Sequence, residues 1–347
     1  MKHSLLHSRY KYLEPKNFVP MSEESLSARN QFIEKYKSNN ILYKQSCYVC
    51  ESTDLKVISE IDRFGFFYPT AVCNQCGNVQ QAEYYNEDVL NDFYSNYYRK
   101  IYGNQPPSEL FDDQKNDMGK DLFAFVSSII SPKKVLEVGC GAGGLLSVFK
   151  ENNCDVVGLD FDDDYLQIAR DNGIKVHNGS LEVLGNEEKF DVIILSHVLE
   201  HIVDPFPFLE SLVEHLLEDG VLYIEVPSLN TVASGSGGYS YDLLRYWQNA
   251  HTIHFSNLSL RLLCKRVGLR CVKSTDFIKS CWVLTEDGRK LTEQEMTNCF
   301  AATSELLEQI ERNRTSVKDK LRRVIVVLLT VLGLKSTVKA IYLKVKR

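Results

Sequence analysis

A glycine-rich loop close to a carboxylate is the feature of this sequence that points most directly to ligand binding. Residues 135–144 read Val-Leu-Glu-Val-Gly-Cys-Gly-Ala-Gly-Gly, an apolar run that leads into four glycines. Glycines let the backbone approach a bound molecule, and the amides of a following helix favour a negative group. Because Gly139-x-Gly141-x-x-Gly144 also satisfies the dinucleotide fingerprint, the loop alone does not distinguish a nicotinamide cofactor from another adenosine cofactor.

Acidic residues near the loop favour a cofactor that carries a cationic group and a ribose. Glu137 lies two residues before the first glycine, where its carboxylate would repel a pyrophosphate and attract an ammonium group. Asp160 ends the next predicted strand and is placed to accept hydrogen bonds from both ribose hydroxyls. Ser180 and Leu181 follow the third predicted strand and are placed beside an adenine.

Four histidines follow the fourth and fifth predicted strands and are candidates for a general base. His197 and His201 lie in Leu-Ser-His-Val-Leu-Glu-His, residues 195–201, whereas His251 and His254 lie in the segment 248–256. Histidine is the usual group for removing a proton from a hydroxyl or a carbon acid. A structural role, such as bonding the backbone of a loop, stays open for each of them, and His251 is the first candidate.

Four cysteines form two pairs whose spacing is typical of a zinc site. Cys47-x-x-Cys50 and Cys73-x-x-Cys76 are separated by 22 residues. Two such pairs supply four thiolates to a closed tetrahedral site, so we expect structural Zn²⁺, which would also stabilise a unit with a small core. A redox dithiol is the alternative, but it would account for one pair only.

A parallel sheet is needed to bring the glycine loop and its acids together, and the sequence predicts one. Apolar runs of strand length alternate with helical stretches from about residue 121. Strands are predicted at 134–138, 156–160, 174–177, 191–195, 221–226, 270–275 and 281–285, and helices at 121–130, 143–151, 163–172, 205–217 and 257–267. This alternation is typical of βαβ units, so we predict an α/β fold with a doubly wound parallel sheet. Ligands of such sheets bind at the carboxyl ends of the strands.

Residues 121–285 resemble the class I S-adenosylmethionine-dependent methyltransferases. The segments VLEVGCGAGG, VVGLD, FDVIILSHVLEHI and LEDGVLYIEVPS carry the resemblance in the family's order. It implies a seven-stranded Rossmann-like sheet and S-adenosyl-L-methionine as cofactor. By this resemblance Glu137 reaches the methionine amino group, Asp160 holds the ribose and His197 closes over the methionine end. The implied cofactor-binding residues are Glu137, Gly139, Cys140, Gly141, Gly143, Asp160, Ser180, Leu181 and His197.

The four-cysteine unit ahead of this core makes the chain similar to methyltransferases of bacterial surface-polysaccharide and deoxysugar biosynthesis. Sugar C-methyltransferases of that kind carry Tyr-His-Glu-His, whereas residues 249–254 here read Asn-Ala-His-Thr-Ile-His and lack the glutamate. We therefore expect methylation of a sugar hydroxyl in glycan or nucleotide-sugar biosynthesis. The alternatives are sugar C-methylation, methylation of a quinone or other small molecule, and a non-catalytic module whose zinc ribbon recruits a partner.

The sequence predicts five parts: a polar segment 1–46, a zinc ribbon 47–80, a helical linker 81–120, the methyltransferase domain 121–290 and a helical C-terminus 291–347. Residues 312–347 hold eleven Lys and Arg and one acid, although the whole chain has a net charge of −6. The rest of the chain, residues 1–311, is therefore strongly acidic, which argues against nucleic acid as a partner.

The basic end carries an apolar run, 324–334, between cations. Residues 318–347 are therefore expected either to lie on an anionic membrane surface or to pack on the body or a second copy, which leaves a homodimer open. No apolar leader opens the chain, and its ten cysteines include metal-type pairs. We expect a cytoplasmic protein, with a peripheral position on the inner face of the cytoplasmic membrane left open.

Overall fold

A computed structural model describes residues 8–36, 42–103, 105–275 and 279–315. The strands are β1 Leu42–Lys44, β2 Leu55–Ile61, β3 Phe67–Cys73, β4 Val79–Gln81, β5 Glu83–Tyr85, β6 Lys134–Val138, β7 Asp155–Asp160, β8 Lys175–Asn178, β9 Phe190–Ser196, β10 Leu216–Glu225, β11 Ile253–His254, β12 Leu269–Ser274 and β13 Lys279–Leu284. The α-helices are α1 Glu23–Tyr36, α2 Glu87–Asp92, α3 Tyr98–Tyr102, α4 Pro107–Asp113, α5 Lys120–Ser127, α6 Gly144–Glu151, α7 Asp163–Asp171, α8 Pro205–Val213, α9 Leu229–Ala233, α10 Asn257–Arg266 and α11 Glu293–Thr315. The basic segment 318–347, with its expected membrane or packing role, lies outside the described residues.

The central sheet has seven strands in the order β12-β13-β10-β9-β6-β7-β8. The strands from β10 to β8 run parallel, whereas β13 is antiparallel to both of its neighbours, β10 and β12. The prediction of an α/β fold with a seven-stranded Rossmann-like sheet is confirmed, and the sheet is mixed. The connection from Ser274 to Lys279 is too short for a crossover helix, so β12 and β13 pair antiparallel.

Apolar residues bury both faces of the central strands. Alternate residues of a strand point to opposite faces of the sheet, so each strand contributes side chains to an apolar layer on either face. One layer holds Val135, Val192 and Val221, and the other holds Leu136, Ile193 and Leu222. Near-continuous apolar strands of this kind are typical of a sheet that is covered by helices on both sides.

A second sheet joins the cysteine-rich segment to a distant part of the chain. Its four strands lie in the order β11-β4-β3-β2 and all its pairs are antiparallel. β11 follows the central strand β10 in the chain, yet it pairs with β4, which follows the second cysteine pair. The N-terminal unit and the segment that carries His251 and His254 therefore share a sheet.

Three helices differ from the sequence-based expectations. The helix predicted to reach residue 217 ends at Val213, because Leu216 already pairs with Phe190 of β9 as the start of β10. The segment 1–46 contains α1, whose Phe32 is buried among other aromatic rings. The helical segment predicted from residue 291 contains α11, which begins at Glu293, and one of its faces is buried through Cys299, Thr303, Leu307 and Ile310.

Within the described part of the chain, none of the helices combines the length and the apolar character needed to span a bilayer.

Candidate functional site

The loop after β6 requires glycine at three positions. Gly139, Gly141 and Gly143 have φ angles of 72°, 52° and 79°, in the left-handed region that other residues rarely adopt. A Cβ at Gly139 would also lie 2.5 Å from Cγ2 of Val198, which follows β9. The loop is therefore held in one conformation against the end of a neighbouring strand.

Asp160, at the end of β7, connects the loops at this edge of the sheet. Its carboxylate accepts a hydrogen bond from the amide of Gly141 at 2.8 Å and one from the amide of Asp162 at 3.0 Å. Its carbonyl accepts from the amide of Gly179, after β8, at 2.9 Å. Burial raises the pKa of Asp160, although the backbone donors oppose the shift. Each carboxylate oxygen keeps a second lone pair for a ligand hydroxyl.

Glu137 is a buried carboxylate at the end of β6. The residue is 1% exposed, and neither of its carboxylate oxygens finds a hydrogen-bond partner among the residues that the structure describes. Burial and the nearby charge of Asp160 raise the pKa of Glu137 well above its ordinary value. Buried carboxylates are normally paired, so this position lacks the cation that would make its charge favourable.

The loop after β8 places Ser180 and Leu181 beside the same crevice edge. The amide of Ser180 donates to the carboxylate of Glu182 at 2.8 Å, and Leu181 is buried. Phe161, directly after Asp160, is 74% exposed and was missed by the sequence analysis. An aromatic residue immediately after a strand-ending carboxylate was the signal that could have identified it, because an exposed apolar ring beside a crevice is typical of ligand contact.

The helical segment 107–119 covers the glycine loop, although it was predicted only as part of a linker. The side-chain oxygen of Gln114 accepts a hydrogen bond from the amide of Gly144 at 3.1 Å. A Cβ on Gly144 would lie 2.3 Å from the carbonyl oxygen of Phe111. The first turn of α6 and α4 are therefore in direct backbone contact.

His197 follows β9 in a strained conformation. Its φ angle of 56° is unusual for a residue with a side chain, and its amide donates to the carbonyl of Glu225 at 2.8 Å. Its Nδ1 lies 3.4 Å from a carboxylate oxygen of Glu200. Partial burial lowers the pKa of His197, but the charges of Glu200 and Glu225 outweigh it, and the net pKa is raised.

His201 and His251 come from different loops and face each other. Their ring centroids are 4.8 Å apart and their planes are perpendicular. Nδ1 of His201 contacts the carbonyl of Ala250 at 2.9 Å, so this nitrogen carries the proton. His251 is buried, and burial together with the neighbouring His201 and His254 lowers its pKa well below the ordinary value. The structure thus brings together His197, His201 and His251.

His254 lies behind this group within an aromatic core. Its ring centroid is 6.1 Å from that of His251 and 4.5 Å from that of Trp247. Its Nε2 is 3.2 Å from the hydroxyl of Tyr68, and burial lowers its pKa to about 3. His254 is therefore a neutral ring that supports the loop from within.

The N-terminal unit holds the His251 loop in place. The hydroxyl of Tyr68, on β3, donates to the carbonyl of His251. The carboxylate of Asp62 accepts from the amide of Asn249 at 3.0 Å, and the carbonyl of Thr252 accepts from a β4 amide at 2.9 Å. Sequence reasoning missed these positioning residues, because they lie almost two hundred residues before the loop.

Tyrosines and an arginine surround the same region. Tyr98 and Tyr102 stack with ring centroids 4.6 Å apart. Burial raises the pKa values of Tyr98 and Tyr239; the charge of Glu200 raises them further, and that of Arg63 lowers them. Arg63 also contributes to the low pKa of His251. The histidine group therefore faces aromatic rings and the cation of Arg63.

The two cysteine pairs meet in one cluster. One sulfur from each of Cys47, Cys50, Cys73 and Cys76 lies within 4.8 Å of all the others. The sulfurs of Cys47 and Cys76 are 3.5 Å apart, as are those of Cys50 and Cys73. Zinc–sulfur bonds of about 2.3 Å in a tetrahedron place the sulfurs about 3.8 Å apart, so the cluster fits a Cys₄ zinc site.

A family model described as a methyltransferase domain matches residues 111–274 of this chain. A ubiquinone biosynthesis O-methyltransferase of Haemophilus ducreyi is 36% identical over 104 residues, covering 26% of this chain and 44% of that protein. The enzyme of the same name from Pasteurella multocida is 28% identical over 127 residues, covering 32% and 52%. The chain thus spans about half the length of these curated relatives. By sequence, residues 111–274 are thus similar to a methyltransferase domain.

Two solved structures illustrate what parts of this chain align with. Streptomyces venezuelae DesVI aligns with a TM-score of 0.39 and 18% identity, over 51% of this chain and 96% of that one. The plantazolicin methyltransferase BpumL, in complex with SAH, aligns with a TM-score of 0.41 and 16% identity, over 64% and 88%.

Proposed function

We propose that this protein transfers a methyl group from S-adenosyl-L-methionine to a hydroxyl of a sugar in bacterial glycan or nucleotide-sugar biosynthesis. The buried carboxylate of Glu137 beside the glycine loop, which finds no hydrogen-bond partner in the described part of the chain, is the observation that carries the proposal. A cofactor with an ammonium group supplies the missing cation, whereas a pyrophosphate at this position would be repelled. The methyltransferase-domain match over residues 111–274 supports the same reaction.

The cofactor residues have separate tasks in this proposal. Glu137 binds the amino group of the methionine part, and Asp160 binds the ribose hydroxyls with the lone pairs that Gly141 and Asp162 leave unused. Gly139, Cys140, Gly141 and Gly143 form the surface beneath the cofactor. Ser180, Leu181 and the exposed ring of Phe161 flank the adenine. S-Adenosylmethionine supplies a methyl group on a sulfonium, which a nucleophile displaces in line.

The acceptor side is assigned to the histidine group and the residues around it. Aromatic rings such as Tyr98 and Tyr102 suit stacking against a sugar, and the cation of Arg63 suits a phosphate-bearing acceptor. His197, His201 and His251 orient the hydroxyl and take up its proton, and His254 supports them from the aromatic core. Alignment and proton removal are what the chain must add to the chemistry of the cofactor.

Zinc is assigned a structural role at Cys47, Cys50, Cys73 and Cys76. Four thiolates leave no open coordination position for a substrate. The sulfur spacing described above fits this arrangement.

A second acceptor class is a quinone precursor or another phenol. It is favoured by the 36% identity of a 104-residue segment to a relative named as a ubiquinone biosynthesis O-methyltransferase. A phenol hydroxyl also gives up its proton more readily than a sugar hydroxyl, so the same base would act on it.

Methyl transfer from isotopically labelled S-adenosylmethionine tests the proposal. The zinc-replete protein is incubated with nucleotide sugars or with catechol-type phenols, and the products are identified by mass spectrometry. We expect a methyl ether on a sugar hydroxyl, and no product with Asp160→Ala. A labelled phenol would support the second acceptor class, a new carbon–carbon bond would identify C-methylation, and absence of transfer to every acceptor would contradict the proposal.

A further inference from the structure

We propose that Glu200, His201 and His251 form a binding site for a divalent transition-metal ion, separate from the four-cysteine cluster. One donor atom from each of the three residues lies within 4.8 Å of the other two. Metal–ligand bonds of about 2.0–2.2 Å require donor atoms about 3–3.5 Å apart. Small side-chain rotations are therefore enough to close these donors around an ion.

The carboxylate of Glu200 is available as a ligand. The residue is 1% exposed, and in the described ranges its two carboxylate oxygens accept no hydrogen bond. The nearest charged partner is Nδ1 of His197 at 3.4 Å. A buried carboxylate without hydrogen bonds is costly unless a cation neutralises it, and a metal ion does so directly.

Both histidines present a nitrogen lone pair. Nδ1 of His201 donates to the carbonyl of Ala250, which leaves the lone pair on Nε2 for a ligand bond. This is the outer-shell hydrogen bond that fixes the tautomer of metal-bound histidines. Nδ1 of His251 is buried, and no described residue forms a hydrogen bond with it. Nε2 contacts the side-chain amide of Gln248, and a turn of that amide that brings its oxygen to Nε2 leaves the lone pair on Nδ1 for a ligand bond.

The backbone around the three ligands is already rigid. The amide of Thr252 donates to the carbonyl of Glu200 at 2.8 Å, and its hydroxyl donates to the carbonyl of Ile202 at 2.7 Å. The turn after β9 and the loop before β11 therefore form one frame, although about fifty residues separate them in the chain. The ligands are held close together before any ion arrives, which favours binding.

The ligand types indicate the class of metal and its use. Two imidazoles and one carboxylate suit zinc, manganese, iron(II) or cobalt(II), and three protein ligands leave coordination positions open. This part of the inference rests on the proposed function: the ion binds the acceptor hydroxyl and lowers its pKa. With an ion bound, His201 and His251 serve as its ligands and His197 alone takes up the hydroxyl proton. The oxygen then forms its bond to the methyl carbon as the carbon–sulfur bond breaks.

Manganese(II) is the probe, because carboxylate and imidazole ligands bind it whereas thiolate sites prefer zinc. Zinc-replete full-length protein is titrated with Mn²⁺ while the signal of the free ion is followed by electron paramagnetic resonance. We expect one equivalent to bind. Glu200→Gln, His201→Gln and His251→Gln should each weaken binding about 10-fold or more, whereas His177→Gln and Glu187→Gln should leave it unchanged. Circular dichroism and S-adenosylhomocysteine binding check that each variant is folded.

Nitrogen couplings to the bound manganese provide a test that needs no variant. Pulsed resonance spectra of the wild-type complex should show two coordinated imidazole nitrogens. Failure of the wild-type protein to bind Mn²⁺, or a complex without histidine nitrogens, would overturn the site. Metal binding without any methyl transfer would leave the site standing and contradict the proposed function instead.

Discussion

At the scale of single residues, the site is marked by buried carboxylates that accept no hydrogen bond from the residues that the structure describes. Glu137 is one, at the end of β6, and Glu200 is another, after β9, where Nδ1 of His197 lies 3.4 Å away. Each costs free energy in the ligand-free protein, so each identifies a position where a ligand changes the balance. Glu137 was predicted from its place before the glycines. Glu200 lies in the segment FDVIILSHVLEHI but was not predicted as a site residue, because neither its burial nor its lack of hydrogen bonds can be read from the sequence.

Glu137→Gln should weaken the binding of S-adenosylhomocysteine about 10- to 100-fold, because a charged hydrogen bond to the ammonium group is lost. The raised pKa of Glu137 adds a pH dependence. Only the ionised form attracts the ammonium group, so wild-type affinity should rise with pH until it passes the raised pKa and then level off. The variant should lack this rise. Calorimetric titrations at several pH values measure both effects.

Glu187→Gln is the control, since this carboxylate is exposed. Wild-type affinity that falls as the pH rises would contradict the role of Glu137. The stability of the ligand-free protein provides an independent test. An acid whose pKa is higher in the folded state than in the unfolded state destabilises the fold as the pH rises above the unfolded-state value, about 4.3 for glutamate. Glu137→Gln should therefore raise the melting temperature near neutral pH.

Gly144→Ala tests the contact between the glycine loop and its cover. A Cβ there would lie 2.3 Å from the carbonyl oxygen of Phe111, so α4 must move. We expect a loss of about 1–3 kcal/mol in the free energy of unfolding, although alanine is the better helix former. Gly185→Ala is the control, because no described atom lies within 4 Å of its Cβ position. Denaturant unfolding of both variants measures the difference, and equal stability would show that α4 does not press on the loop.

At the scale of elements, the parallel strands and the helices that follow them were predictable, because the spacing of apolar residues and the length of each segment match the faces that these elements bury. The strand predicted over 134–138 is β6, and the helix predicted over 257–267 is α10, which ends at Arg266. Two features were not predictable. β11 is two residues long and exists through its pairing with β4, and the start of β10 is decided by pairing with β9 rather than by helix propensity.

Tyr68→Phe tests whether β3 positions the histidine loop. The substitution removes the hydroxyl that donates to the carbonyl of His251 and contacts His254. A buried acceptor left unsatisfied costs about 1–3 kcal/mol, so we expect a lower unfolding free energy and a lower kcat, with unchanged affinity for S-adenosylhomocysteine. Tyr36→Phe, which removes a hydrogen bond to Asp92 on another face, is the control. A kcat equal to that of the wild type would show that the loop holds its position without β3.

At the scale of the whole molecule, the four-cysteine unit and the central sheet share one apolar core. Cys47 and Cys73 belong to the same buried cluster as Phe255 and Leu263. Arg266 of α10 donates to the carbonyl of Val49, between the first two cysteines, at 3.0 Å. Sequence analysis identified the cysteine pairs from their spacing, but the surface that joins them to the core depends on distant contacts that no local pattern reports.

Removing zinc should therefore destabilise the entire protein. We expect a single thermal unfolding transition that moves to lower temperature with a chelator, and the same shift for Cys73→Ser. Cys271→Ser is the control, because Cys271 lies outside the four-cysteine cluster. Calorimetry distinguishes a shared core from two independently folding units. A separate high-temperature transition whose temperature does not change with the chelator would contradict a shared core.

The most direct test of the central claim is calorimetric titration of the zinc-replete protein with S-adenosylhomocysteine, with a nicotinamide dinucleotide as the comparison ligand. We expect one equivalent of S-adenosylhomocysteine to bind with a Kd of roughly micromolar order and no binding of the dinucleotide. Binding of the dinucleotide instead, or of neither ligand, would contradict a methyl-transfer site; the second result would favour a non-catalytic module that acts through its zinc ribbon.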